Sequence, residues 1–208
     1  MTNATLASRY YKTRFSCFKW RESLSLTNKI ALALGMAVIT GLLAQIRIPV
    51  AWTPVPITGQ TLAVLLAGVL LGRNWGGISM VLYAALGAAG VPWFAGWGGG
   101  LAVLTGPTGG YIVGFFLAAL FLGYVTDKYI NSRGFFAMFT LMTAATLFLI
   151  FIPGLIQLSI WFSIVKGSAP AFGELLVLGF YPFLIGALIK ISLAALISKG
   201  ITPKENYS

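Results

Sequence analysis

The sequence predicts an all-α membrane protein, a bundle of six transmembrane helices, on three observations. Hydrophobic residues make up 58% of the 208 and charged residues only 9%, where soluble domains carry about a quarter charged. Several apolar runs approach 20 residues, about the length a helix needs to cross roughly 30 Å of hydrocarbon. The charges fall between these runs or at their ends, Lys190 excepted.

The elements follow in chain order. Residues 1–27 form a basic N-terminal tail: Arg9, Lys12, Arg14, Lys19 and Arg21 alternate with Tyr10, Tyr11, Phe15, Phe18 and Trp20. Such a stretch beside a span reads as an anchor on anionic lipid heads, and its clustering argues against nucleic acid as the partner for a net charge of +10. It has no apolar core of its own, so it does not read as a cleaved signal peptide. The spans are expected at about 28–46, 60–72, 75–91, 110–126, 135–151 (extending toward 165) and within 173–198, followed by a short tail, 199–208. The second span is short. Its Pro54-Val55-Pro56 approach predicts non-helical backbone folded against the bundle, which membrane depth tolerates only inside protein or along a cavity.

Orientation comes from the basic residues. With the N-terminus in the cytoplasm, eleven of the fourteen lie inside and only Arg47 and Lys166 lie outside. The positive-inside rule therefore places both termini in the cytoplasm. Two uncharged or nearly uncharged segments then face the outside together. One is the Pro-rich stretch 48–58. The other is VPWFAGWGGGLAVLTGPTGGY, 91–111, with seven glycines and four aromatic residues. Glycine permits positive φ and close backbone approach, so these segments are expected to offer a ligand bare N–H and C=O groups while rings cover its apolar parts.

Enzyme chemistry has little to work with. There is no histidine and one cysteine, Cys17, so a Ser–His or Cys–His couple, a histidine metal site and an internal disulfide are all excluded. The acids are Glu22, Asp127, Glu174 and Glu205, none at mid-membrane, which disfavours a proton-coupled carrier. No phosphate-binding Gly-rich loop is present, so ATP cannot be used directly. No cofactor is expected.

Lys190, in LIGALIKISLAALI, reads either as a pocket cation or as a snorkelling residue. It lies nine residues before Lys199, roughly 13 Å along a helix; a lysine stem spans about half of that, which favours the pocket. With no acid partner in the chain, such a cation invites an anionic ligand. In the first span, Ala33, Ala37 and Gly41 recur every fourth residue. The spacing fits either docking of another helix or packing within the bundle.

At this point PVPITGQTLAVLLAG (54–68), LGAAGVPWFAGWGGGLAVLTGPTGGYIVGFFLAAL (86–120) and YPFLIGALIK (181–190) resemble the BioY family, the biotin-binding S components of energy-coupling factor (ECF) vitamin transporters. The resemblance runs from about Leu26 to Ser198. It implies six helices with outer loops capping a ligand pocket, biotin as the bound substrate, and partnership in the cell membrane with a transmembrane coupling protein and two cytoplasmic ATPases. It also implies that the Ala33, Ala37 and Gly41 face meets the coupling protein. The site residues it points to, with the aromatic and polar residues of the outer segments, are Thr58, Gln60, Tyr83, Phe94, Gly96, Gly98, Gly99, Thr108, Tyr111 and Lys190. The chain departs from the family where Ile185-Gly186-Ala187 stands in place of Pro-Gly-Asp, so the acid one turn before Lys190 is absent. Another small carboxylated vitamin as ligand, or a self-sufficient membrane carrier, are the alternatives.

Overall fold

The computed structural model describes residues 3–203. Lys204 and Glu205 of the expected C-terminal tail, and the side chain of Cys17, lie outside the described residues. Five helical stretches among them are long and apolar enough to cross a membrane: Leu26–Gln45, Gln60–Ala88, Gly109–Lys128, Phe135–Lys166 and Phe172–Ile201.

The basic tail is a helix, α1 (Asn3–Ser23). Ser25 caps the next helix, α2 (Leu26–Gln45), by accepting from the Asn28 N–H at 3.4 Å. The N-cap bond satisfies one of the donors that a helix start leaves free. After α2 the chain forms a short strap: β1 (Arg47–Ile48) pairs antiparallel with β2 (Ile57–Thr58), Arg47 opposite Thr58. The Pro-rich turn between them is thus irregular backbone closed on itself, as Pro54 and Pro56 require.

The third helix, α3 (Gln60–Ala88), is one stretch in hydrogen-bond terms but not in shape. Gly72 has φ 80° and ψ 179°, a combination essentially restricted to glycine. Gln60 and Tyr83, 23 residues apart, hydrogen-bond at 2.7 Å; on a straight helix they would stand roughly 35 Å apart. The chain therefore doubles back at Gly72 into two antiparallel arms. A Cβ on Gly76 would come 2.8 Å from the Gly68 Cα, so Gly76 must be small for the arms to touch; a Cβ on Gly68 would instead meet the Ala119 carbonyl on the far side. This hairpin occupies the region where two separate spans are expected.

The glycine-rich connection folds tightly and leads through one turn, α4 (Leu101–Thr105), into α5 (Gly109–Lys128), which packs most extensively on the hairpin. The next stretch runs without a break through α6 (Phe135–Ala144), a π-helical segment (Ala145–Phe151) and α7 (Ile152–Lys166). It covers the whole of the extension toward 165. Pro153 lies in the first turn of α7; proline lacks an N–H and disturbs the preceding turn, a physical cause for the wide π segment just before it. The last stretch is α8 (Phe172–Gly179), a 3-10 turn (Tyr181–Phe183) and α9 (Leu184–Ile201).

The interior holds Tyr83, Phe94, Met80, Leu122, Met138, Met142, Leu158 and Ile191, all buried. Large apolar side chains such as Leu42, Val113, Phe136, Phe148, Ile164 and Leu196 point outward. Apolar groups on both the inside and the outside are what a hydrocarbon solvent asks of a bundle.

One end of the bundle is tied by charges. Arg21 forms an ion pair with Asp127 and donates to the carbonyls of Val69 and Leu70 at 3.2 and 3.4 Å. The other Asp127 oxygen accepts from the Arg73 N–H at 3.0 Å. Arg133 donates to Thr126 and Pro203 carbonyls at 2.9 and 3.0 Å, and its guanidinium lies 4.5 Å from the Phe18 ring. Burial holds the Arg133 pKa below its ordinary value. Tyr10 and Arg14 donate to the carbonyls of Gly200 and Thr202. Helix α1 is thereby fastened across the ends of the hairpin, α5 and α9.

Candidate binding site

At the opposite end a cavity of about 470 Å³ opens beneath the strap, within the usual range for small-molecule sites. The strap contributes Arg47, Pro54 and Thr58, the hairpin Gln60, and the glycine-rich connection Phe94 and Thr108. Helix α5 adds Tyr111 and Phe115, the π segment Thr146, Ile150 and Phe151, and the last stretch Phe183, Ala187 and Lys190. Of the residues expected at the site, Thr58, Gln60, Phe94, Thr108, Tyr111 and Lys190 come together on its wall.

Lys190 settles the choice between pocket and snorkelling. Its ammonium donates to the Thr58 carbonyl at 2.8 Å, toward the strap and away from the basic end of the bundle. Thr58 donates to the Gln60 side-chain oxygen at 2.7 Å, and the Gln60 amide donates to the Tyr83 hydroxyl at 2.7 Å. Tyr83 in turn donates to the Trp93 carbonyl at 3.4 Å, and the Trp93 indole returns a bond to the Tyr83 carbonyl at 3.0 Å. Tyr83 therefore stands behind Gln60 rather than on the wall, fully buried, and fixes the amide's direction. Tyr111 spends its hydroxyl on the Gly179 carbonyl at 2.8 Å. It offers the cavity a ring, set edge-to-face with Phe151 at 6.3 Å.

The glycines behave differently from expectation. Gly96, Gly98 and Gly99 are absent from the cavity wall. Gly96 (φ 72°) and Gly100 (φ 90°), with Trp97 at φ 60° between them, bend the connection so that Phe94 bonds Gly98 (2.9 Å) and Gly100 reaches back to Gly87 (2.7 Å). Their conformational freedom serves the tight turn itself. The small face of α2 also needs correction as a docking surface. Ala33 and Ala37 are 0% exposed, and a Cβ on Gly41 would lie 2.8 Å from that of Trp93. These three residues pack inward within the chain, because the hairpin and the glycine-rich connection occupy that side.

Sequence reasoning missed two contributors. Arg47 lines the cavity and sits over Gly96; its signal was that of a solitary outer cation at the start of the Pro-rich stretch. Gln45 holds the connection in place, donating to Trp93 and Phe94 carbonyls at 3.2 and 3.1 Å and accepting from the Trp97 N–H at 2.9 Å. Nothing in the spacing marks it. Arg47, its guanidinium over Gly96, and Lys190, bonded to the Thr58 carbonyl, both line a cavity that no carboxylate lines. Chemically, the site suits an anionic ligand with an apolar, ring-sized body. No cluster of metal-ligating residues is present among the described residues.

The comparisons agree with this chemistry. The sequence pattern of the BioY family matches residues 12–206. The probable biotin transporter BioY of Methanothermobacter thermautotrophicus is 51% identical over 142 residues, 68% of this chain and 90% of that protein. The biotin transporter BioY of Thermotoga maritima is 36% identical over 155 residues, 74% and 84% of the two chains. The crystal structure at 2.1 Å of the S-component for biotin from an ECF-type ABC transporter superposes with a TM-score of 0.73 at 25% identity, over 85% of this chain and 93% of that one. With a cavity roofed by a strap, a lysine reaching up to it and a family pattern spanning nearly the whole chain, this multi-pass membrane protein belongs to the BioY family.

Proposed function

We propose that this chain is the biotin-capturing S component of an ECF-type importer. The observation that carries the reading is a largely apolar cavity beneath the strap, lined by two cations, Lys190 and Arg47, and by no acid. It is supported by relatives named as biotin transporters. Biotin's carboxylate meets a cation of this wall, and its bicycle lies against Phe94, Tyr111 and Phe151. The two arms of the hairpin count as separate crossings, which gives six, with both termini in the cytoplasm and the cavity facing outward. That orientation follows the charge distribution: α1, Arg73, Lys128 and Arg133 gather at the end away from the cavity.

Release inward requires a coupling protein and two ATPases. The small residues free to meet such a partner on α2 are Ala31 and Gly35, both exposed; a Cβ on Gly35 would meet nothing within 4 Å. The relatives are transporters, and no covalent step is assigned to this chain.

Equilibrium binding of labelled biotin to the purified protein tests the reading. Saturable binding is expected, and its absence would rule out biotin as the ligand. Ala187 lines the cavity where the family pattern carries an acid, which favours a second reading, another small carboxylated vitamin. Ala187→Asp is expected to tighten biotin about tenfold by restoring an acceptor for ureido N–H groups. Competition by unlabelled carboxylates in the unsubstituted protein separates the two readings. Uptake by liposomes holding this chain alone, without ATPases, would instead make it a self-sufficient carrier.

A further inference from the structure

The charged end of the bundle contains a second cleft, of about 450 Å³, between α1, α2, the hairpin turn and α5. Four cations border it, Arg21, Lys29, Arg73 and Lys128, against two carboxylates, Glu22 and Asp127. Asp127 is already committed, to the Arg21 ion pair and to the Arg73 N–H. Lys29 donates to the Glu22 carbonyl at 3.1 Å rather than to a carboxylate. The Arg73 guanidinium and the Lys128 ammonium lie by the same Tyr124 ring, 5.1 and 5.2 Å from its centroid. Lys128 reaches it from the edge, donating to the Tyr124 hydroxyl at 2.8 Å, and the cleft keeps an excess of two positive charges. An anion bound among Arg73, Lys128 and Lys29 offsets that excess.

The surroundings say which anion. Leu71 and the half-buried Trp75 form the apolar side of the cleft, and tryptophan at such a border marks the headgroup level of a bilayer. Beyond Trp75 on the same arm, Ile78 and Val81 are exposed, an apolar track leading from the cations along the membrane-facing surface. A soluble phosphate compound has no use for that track; an acyl chain does. Basic pockets between helices at the cytoplasmic face are a recurrent form of headgroup site.

We propose that the cleft bordered by Lys29, Arg73, Trp75 and Lys128 binds the phosphate of an anionic phospholipid, with its acyl chains along Ile78 and Val81. Bound there, the lipid joins four separate elements at the turn of the hairpin.

Native mass spectrometry of the full chain, titrated with phosphatidylglycerol or phosphatidylcholine, tests this; glycerol 3-phosphate is titrated in parallel. A tight phosphatidylglycerol adduct is expected, weakened about 30-fold by Arg73→Gln with Lys128→Gln. The charge-keeping pair Arg73→Lys with Lys128→Arg retains it. So does Lys12→Gln with Lys19→Gln, on the exposed side of α1. Should the neutral pair fail to fold, Lys29→Gln alone is expected to weaken the adduct about fivefold. Unchanged phosphatidylglycerol binding in the cleft variants, or equal loss in the α1 control, reduces the effect to general charge attraction and overturns the site. Glycerol 3-phosphate binding as tightly as the lipid assigns the cleft to a soluble phosphate and overturns the lipid. None of these outcomes depends on whether biotin binds.

Discussion

Lys190 and Arg47 reach the same cavity by different routes, one from α9, the other from the first residue of the strap. Their chemistry separates them. The lysine is a flexible point charge tied at 2.8 Å to Thr58, whereas the guanidinium is a planar fork suited to a bidentate carboxylate. Removing the partner of a desolvated carboxylate costs 2–5 kcal/mol, so Lys190→Ala is expected to weaken biotin about 100-fold. Arg47→Ala, at the rim, is expected to cost about tenfold. Both losses should shrink sharply when biotin methyl ester replaces biotin; equal losses for ester and acid would mean that neither residue reads the carboxylate. Lys190 was legible from sequence because a lone cation in an apolar run has few places to go. Arg47 was not, since its place on the wall depends on the strap and the glycine-rich connection folding together over the cavity. Gln45 was less legible still: an amide at the end of a helix becomes a clamp only when a loop some 50 residues onward folds back to it.

The hairpin turns on one backbone angle pair. Gly72 at φ 80° and ψ 179° lies where other residues pay about 1–3 kcal/mol, and a Cβ there would stand 2.8 Å from the Asp127 carboxylate. Gly72→Ala is therefore expected to lower the melting temperature in detergent by about 5 °C, with tryptophan fluorescence or light scattering as the readout. An unchanged transition would place the turn's strain elsewhere. The break itself was readable in sequence, because a short apolar run followed by Gly72-Arg73-Asn74 has no reason to continue straight. The inward rotation of α2 was not. Small residues at every fourth position describe a flat stripe, but only the neighbours decide which side of the helix is already covered. Likewise the π-helical segment that carries Thr146, Ile150 and Phe151 to the cavity has no compositional signature. It arises where Pro153 and the packing against α5 meet.

Across the whole molecule, the two ends have separate tasks: a cavity with two lining cations beneath the strap, and a basic floor fastened by α1. Asp127 is the floor's central anion, holding Arg21 on one oxygen and the hairpin turn on the other. Asp127→Asn is expected to speed amide hydrogen exchange in α1 and around residues 70–75, leaving α6 and α7 unchanged. Protection kept in α1 would show that Phe18, Tyr10 and Arg14 suffice to dock it. Composition and hydropathy by themselves determined that the chain spans a membrane and roughly where its membrane-crossing stretches lie. Those properties are additive along the chain, and the bilayer acts on each segment separately. Quoted motifs determined the family. The tertiary structure alone decided that Tyr83 works through Gln60, that the glycines shape a turn rather than a wall, and that Ala33 and Ala37 face inward. It also decided that Arg47 lines the same cavity as Lys190. Each of these depends on residues brought together from distant parts of the chain, where distance and direction, rather than local preference, set the chemistry.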